Sequence, residues 1–221
     1  METQEEQKLR WKPMLLEAFF VVFGVVLALA ANEGREHYNR KQHAATALES
    51  VRHELAVNRQ AILESLTYHL LLSDTLQYLS SRTGPSGIAE QRYPNARLFS
   101  RGYIGPATLL NTAWQAANAT DAVSAMDYAD VLLLSQVYED QRSYEYQAQQ
   151  AGQLIYAKLF NEGHEGIRRN LANLNTLIAA FWYRECGLIA RYDEVLDQIE
   201  SVPRPSVEDV PAFCQRLQNR Q

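Results

Sequence analysis

Basic charge is scarce in this chain: 21 Lys and Arg stand against 26 Asp and Glu, a formal charge of -5 over 221 residues. No global positive field exists to gather a polyphosphate, so nucleic acid is not an expected partner. Cysteine is scarcer still, with Cys186 and Cys214 alone. That is too few for a disulfide scaffold or a four-cysteine zinc site, and leaves room for a single bridge. Ten glycines and seven prolines exclude a collagen-like or low-complexity chain, while 47% hydrophobic residues suffice for one folded domain with an appendage.

Long apolar runs are also missing, with one exception. Residues 14–31, MLLEAFFVVFGVVLALAA, carry a single charge, Glu17. As a helix this segment covers about 27 Å, enough for a bilayer's hydrocarbon core. Lys8, Arg10, Trp11 and Lys12 precede it as a cationic, aromatic collar, with Pro13 at a position suited to a first helical turn. Ala28-Leu29-Ala30 also satisfies the small-x-small pattern of a cleaved signal peptide. Glu17 is out of character there, and a permanent anchor is the favoured reading. Basic residues tie across the segment, Lys8, Arg10 and Lys12 before it and Arg35, Arg40 and Lys41 after it. The N-terminal amine and the signal-anchor character of the first 30 residues tip the expectation toward a bacterial inner membrane with the bulk of the chain periplasmic.

Glu17 shares a helical face with Gly24, Ala28 and Ala31, through steps of 7, 4 and 3. Small residues on one face permit close helix approach, and a carboxyl there can hydrogen-bond across the contact. Two other readings of Glu17 stand beside this one: a carboxylate one turn inside the interface that snorkels, and an ion-coupling acid that needs partner helices.

Beyond the span, proline is absent from residue 32 to residue 82 and Gly34 is the only glycine, so the helix is expected to run on into the polar domain. Leu48, Val51, Leu55, Ile62, Leu72, Leu76 and Leu79 form a stripe at heptad spacing. Asn58 and His69 interrupt it, read as a buried amide fixing register and a satisfied core histidine. Residues 82–106, rich in glycine and proline, are expected to form a long loop. In it Arg82, Arg92, Arg97 and Arg101 face Glu90 alone, interleaved with Tyr93, Phe99 and Tyr103. Such a patch is either a docking surface for a partner, headgroup or glycan, or a solvated loop whose aromatics pin it to the helices.

A short helix over 106–119 follows, with Trp114 as core anchor, and Asp121 and Asp127 serve as helix-start signals. Residues 128–160 and 164–201 read as two further long helices joined by Asn161-Glu162-Gly163. The second has the cleanest seam, Ile167, Leu171, Leu174, Ile178, Phe181, Leu188, Tyr192, Val195 and Ile199, with one gap at Glu185. A carboxylate in a seam pairs with a basic residue of a facing helix or points into a cavity, and pairing is the commoner case. Residues 202–221 read as a tail, which in a periplasmic domain a Cys186–Cys214 bridge would clip down.

The five histidines form no zinc-type spacing, and no phosphate-cradling glycine loop, nucleophile elbow or kinase signature is present. Neither a cofactor nor an enzymatic activity is expected. The sequon Asn118-Ala119-Thr120 falls in an expected helix.

The segment LLEAFFVVFGVVLALAANEG, the helix containing HELAVNRQ, and LLNTAWQAANATDAVSAMDYADVLLLSQVYEDQ together resemble a broad group of bacterial single-pass membrane proteins with no agreed biochemical role. The matching positions are Glu17, Gly24, Asn32, Glu54, Leu55, Asn58, Trp114, Ala125, Leu134 and Tyr138, over residues 14–140. Gly34 departs from the pattern, which places a tryptophan just after the membrane helix. The resemblance implies a membrane helix followed by a long coiled-coil-like helix, and is silent on activity.

The expected fold is all-α, a transmembrane helix continuing into an elongated antiparallel bundle. The expected function is a non-enzymatic accessory or scaffolding subunit whose partners are a membrane protein complex or further copies of itself, within the lipid bilayer. A membrane-tethered sensor or signal-coupling module, and an ion-coupled energy-transducing partner using Glu17, are the alternatives.

Overall fold

The computed structural model describes residues 3–81, 100–199 and Cys214. It is all-α, with no strand among the described residues. Helix α1 spans Thr3–Ser81, α2 Thr112–Ala119, a 3-10 turn Ala122–Ala125, α3 Tyr128–Arg169 and α4 Leu171–Ile199.

At about 1.5 Å per residue, the 79 residues of α1 extend about 118 Å. The apolar run, the polar stretch after it and the heptad stripe lie on this one unbroken helix. Residues 14–31 expose every side chain, Met14, Phe19, Val22 and Leu29 each by more than half, with no covering element among the described residues. Residues 32–43 are exposed on all sides and polar, with Asn32 bonded to Glu36 at 2.7 Å and Arg40 to Glu33 at 3.5 Å. Burial begins at Ala44. A helix polar all round bridges two regions, and here a stalk of about 18 Å joins the apolar span to the bundle.

In the bundle α4 runs antiparallel to α1. Arg59 clamps Asp193 at 2.5 and 3.3 Å, and Ser73 reaches Asn175 at 2.7 Å, so the numbers rise on one helix as they fall on the other. Helices α3 and α4 form a hairpin, with Asp140 opposite Arg191 and Ser143 opposite Arg184. The core takes Val51, Leu55, Ile62 and Leu66 from α1, Leu134, Val137 and Tyr144 from α3, and Phe181, Leu188, Tyr192 and Val195 from α4. Leu72 and Leu76 with Leu174 and Ile178 make a second cluster toward the hairpin end.

Four boundaries differ from the sequence expectation. Helix α1 begins at Thr3, so Pro13 lies inside it and residues 3–13 are not a separate tail; TQEEQKLR is built of good helix formers. The α3–α4 turn is at Asn170, where the Asn170 carbonyl accepts the Leu174 N–H at 2.9 Å. The backbone of Asn161-Glu162-Gly163 stays helical, because one glycine in a helix costs only about 1 kcal/mol. Residues 106–111 are not helical, and α2 starts at Thr112. Of the tail, Cys214 alone falls among the described residues.

Candidate functional site

Between Ser100 and Asn111 the chain has no regular structure, yet Ile104, Gly105, Ala107 and Leu109 are buried. A buried non-helical backbone needs partners for its N–H and C=O groups, and side chains of the helices supply them. This strap is the centre of the candidate site.

One face of α1 carries most of the partners. Tyr68 donates to the Gly102 carbonyl at 2.6 Å, His69 Nε2 bonds the Ile104 carbonyl, and Ser65 donates to the Gly105 carbonyl at 3.2 Å. Asn58 grips Leu110 at both ends, Nδ2 donating to its carbonyl and Oδ1 accepting its N–H, each at 2.7 Å. Glu54 accepts the Ala113 N–H at 2.8 Å and the Trp114 N–H at 3.4 Å. Those are the second and third residues of α2, whose own N-cap Asn111 makes no side-chain cap bond. Glu54 therefore caps α2 from another helix. Tyr138 donates to the same carboxylate at 2.5 Å.

Helices α3 and α4 close the other side. Gln141 donates to the Leu110 carbonyl at 2.9 Å, and its Oε1 accepts from Asn58 at 3.1 Å and from Tyr192 at 3.0 Å. Tyr144 accepts the Ala107 N–H at 3.1 Å and donates to Glu185 Oε1 at 2.8 Å, while Glu185 Oε2 lies 2.8 Å from His69 Nδ1. Glu54, Asn58, Ser65, His69, Gln141 and Glu185 are the buried polar residues among those described, and every one is hydrogen-bonded along this seam. Burial pushes the Tyr138, Tyr144 and Tyr192 hydroxyls well above the usual range, reinforced by Glu54, Glu185 and Glu145 respectively. The three phenols stay protonated and keep donating. Burial likewise raises Tyr68, opposed by its bond to Arg101.

Gly105 is where the strap comes closest to α1. Its φ is +53°, and a Cβ there would lie 2.8 Å from the Tyr68 ring and 2.9 Å from Arg101 Cβ. Glycine is required by both conformation and space.

The other residues singled out from the sequence separate into groups. Asn58 and Glu185 meet within the seam, and Glu185 fills its gap by pairing with His69 and Tyr144. Trp114 is half-buried and stacks on Tyr138, centroids 5.5 Å apart and planes within 6°. Asp127 fulfils its helix-start role by accepting the Ala129 N–H at 2.8 Å, whereas Asp121 precedes the 3-10 turn in a left-handed conformation, φ 57°, without a side-chain cap bond. Cys186 and Cys214 are joined by a disulfide with Cα atoms 5.3 Å apart. Glu17, Gly24, Ala28 and Ala31 are exposed on α1, and nothing lies within 4 Å of a Cβ at Gly24. Of the proposed docking residues, Arg92, Tyr93, Arg97 and Phe99 lie outside the described residues. Arg101 is exposed, and Tyr103 packs on the Leu72–Leu76–Ile178 cluster, as a pinning aromatic does.

Sequence reasoning missed Glu54 as a cap and Tyr144 as a network member. The signal for Glu54 was its place beside Leu55, a charge on the edge of the apolar stripe. Gln141 and Tyr144 lie at a spacing of three on α3, four residues on from Val137, a 3-4 pattern that marks them for the buried face, where their polar tips demand partners.

No family model matches this chain, and no curated protein or solved structure is significantly similar to it. The resemblance drawn from the sequence therefore brings no activity with it.

Proposed function

We propose that this chain is a non-enzymatic, single-pass membrane-anchored accessory or scaffolding subunit. Its span packs on other membrane helices and its bundle is held off the bilayer as a docking body. The observation that supports this most is the continuity of α1: twelve large apolar side chains over residues 14–29 are exposed and face no other described element, while the same helix carries the buried bundle core. Such a surface belongs in lipid or against another apolar helix. Close packing through Gly24 and Ala28 predicts that Gly24→Leu or Ala28→Leu shrinks the complex seen in mild detergent; an unchanged complex size overturns the reading.

The placement on a bacterial inner membrane, bundle in the periplasm, is supported by the Cys186–Cys214 disulfide, which persists in an oxidising compartment. Cells lysed under rapid thiol blocking should yield chain with no alkylated cysteine. Quantitative alkylation of both would put the bundle on the reducing side.

A sensor or signal-coupling module is the second reading, favoured by the unbroken helix that would carry a shift in the bundle to the span. Replacing Arg92, Arg97 and Arg101 together should then abolish the response and leave assembly intact.

A further inference from the structure

Two titratable side chains meet at the centre of the seam, beneath the strap, 2.8 Å apart and both fully buried. The Ile104 carbonyl only accepts, so His69 Nε2 carries a hydrogen. Tyr144 spends its own hydrogen on Glu185 Oε1 and uses its oxygen to accept the Ala107 N–H. What remains is the 2.8 Å contact between His69 Nδ1 and Glu185 Oε2, which needs one hydrogen on either atom. With it the pair is neutral overall, as imidazolium with carboxylate or imidazole with carboxylic acid. Without it two lone pairs oppose each other, and an uncompensated charge is left where both side chains have no exposure.

Among the described residues, the pair's surroundings offer no substitute. Facing it are Tyr68 and Ser65 from α1, Tyr144 from α3, Phe181 from α4 with ring centroids 5.5 Å from His69, and the strap's own carbonyls. Arg101, beside Tyr68, and Arg184, which donates to Ser143, are both exposed.

We propose that the Tyr144–Glu185–His69 chain is a one-proton latch: it holds residues 100–111 in the bundle while the His69–Glu185 pair keeps its shared proton, and releases them when that proton is lost. This stands independently of what the bundle docks. The direction follows from proton counting. In the released state both side chains meet water, where histidine holds its proton below about pH 6.5 and glutamate below about pH 4.3. Between those values latched and released states hold the same single proton, and the latch does not respond to pH. Above about pH 6.5 the released state has one proton fewer, so each further unit favours release about tenfold. Below about pH 4.3 the released state takes up a second proton, and acid favours release in the same proportion.

Amide hydrogen exchange on the full chain in detergent micelles, corrected for intrinsic base catalysis, reads the latch at the Ala107 N–H. Its protection should be flat from pH 5 to 6.5 and then fall about tenfold per unit, while Ile189 in the middle of α4 keeps its protection. Glu185→Gln supplies an amide that donates to neutral Nδ1 and accepts from Tyr144, preserving each bond with no proton to lose; its protection should rise from about pH 5 to 6.5, as the released histidine stops taking up a proton, and then hold constant to pH 9. A wild-type profile without the fall, or a Glu185→Gln profile that keeps it, overturns the latch. Should Glu185→Gln fail to fold, ring-nitrogen NMR of His69 in the wild type decides instead: His69 must keep its shared proton at every pH where the Ala107 N–H is still protected, and loss of that proton with the protection intact overturns the proposal.

Discussion

Residues 14–43 and residues 44–81 belong to one helix and meet opposite demands. The first stretch is exposed throughout among the described residues: an apolar run long enough to cross a bilayer, followed by a polar stalk. The second buries Glu54, Asn58, Ser65 and His69 among leucines and satisfies each of them. Backbone conformation is the same on both sides of Ala44, so it does not separate the regions. The difference lies in what the side chains must find. A lipid-facing surface needs only apolarity, which composition supplies without geometry. A bundle that encloses an irregular strap needs donors and acceptors at fixed places, because an unpaired buried group costs about 1–3 kcal/mol.

The sharpest way to break this contrast is Asn58→Leu, which makes the bundle stretch resemble the span. It repairs the heptad stripe but strips Leu110 of both Asn58 bonds and takes one donor from Gln141. The expected loss is about 3 kcal/mol, a fall of about 6–12 °C in the melting temperature of the detergent-solubilised chain, with membrane insertion unaltered. A melting temperature that holds or rises would mean that apolar patterning alone stabilises both regions.

That substitution also marks how far the sequence could be read. The span was legible because hydropathy is a property of the run itself, and the α1 and α4 stripes were legible because helical periodicity is local. Asn58, His69 and Glu185 were legible as misfits in those stripes, but their partners were not. Asn58 and His69 bond main-chain atoms of Leu110 and Ile104, and a backbone carbonyl leaves no mark on residue identity. The same cause hid the strap: PATLLNTAW has a helical pattern, and residues 106–111 are held out of a helix by side chains about fifty positions earlier in the chain. The turn at Asn170 was misplaced because Asn161-Glu162-Gly163 has turn composition, while the backbone stays helical through Arg169.

Gly105→Ala probes the strap with a smaller perturbation. The added methyl meets the Tyr68 ring and Arg101 Cβ at under 3 Å, in a left-handed conformation that alone costs alanine about 1 kcal/mol. A total of about 2 kcal/mol is expected, since the Tyr68 ring can give way in part. The loss should fall on the strap, read as faster exchange at Ala107 with little change in α4. An equal loss across the whole bundle would show that the strap is not a separable unit.

The smallest effect is expected where no described residue lies near the chain. Gly34 lies in the stalk, three residues past the apolar run, with nothing within 4 Å of an added Cβ. In the resembled proteins a tryptophan occupies this part of the helix. If the stalk is a solvated bridge, Gly34→Ala should simply improve local helicity by about 0.5–1 kcal/mol. It should slow amide exchange over residues 32–40 and leave both bundle melting and complex size unchanged. If another helix instead packs closely on the stalk, the methyl group would intrude on that contact and the complex would weaken. One methyl group at Gly34 thus tests whether partners reach the chain through the membrane span alone or continue along α1 toward the bundle.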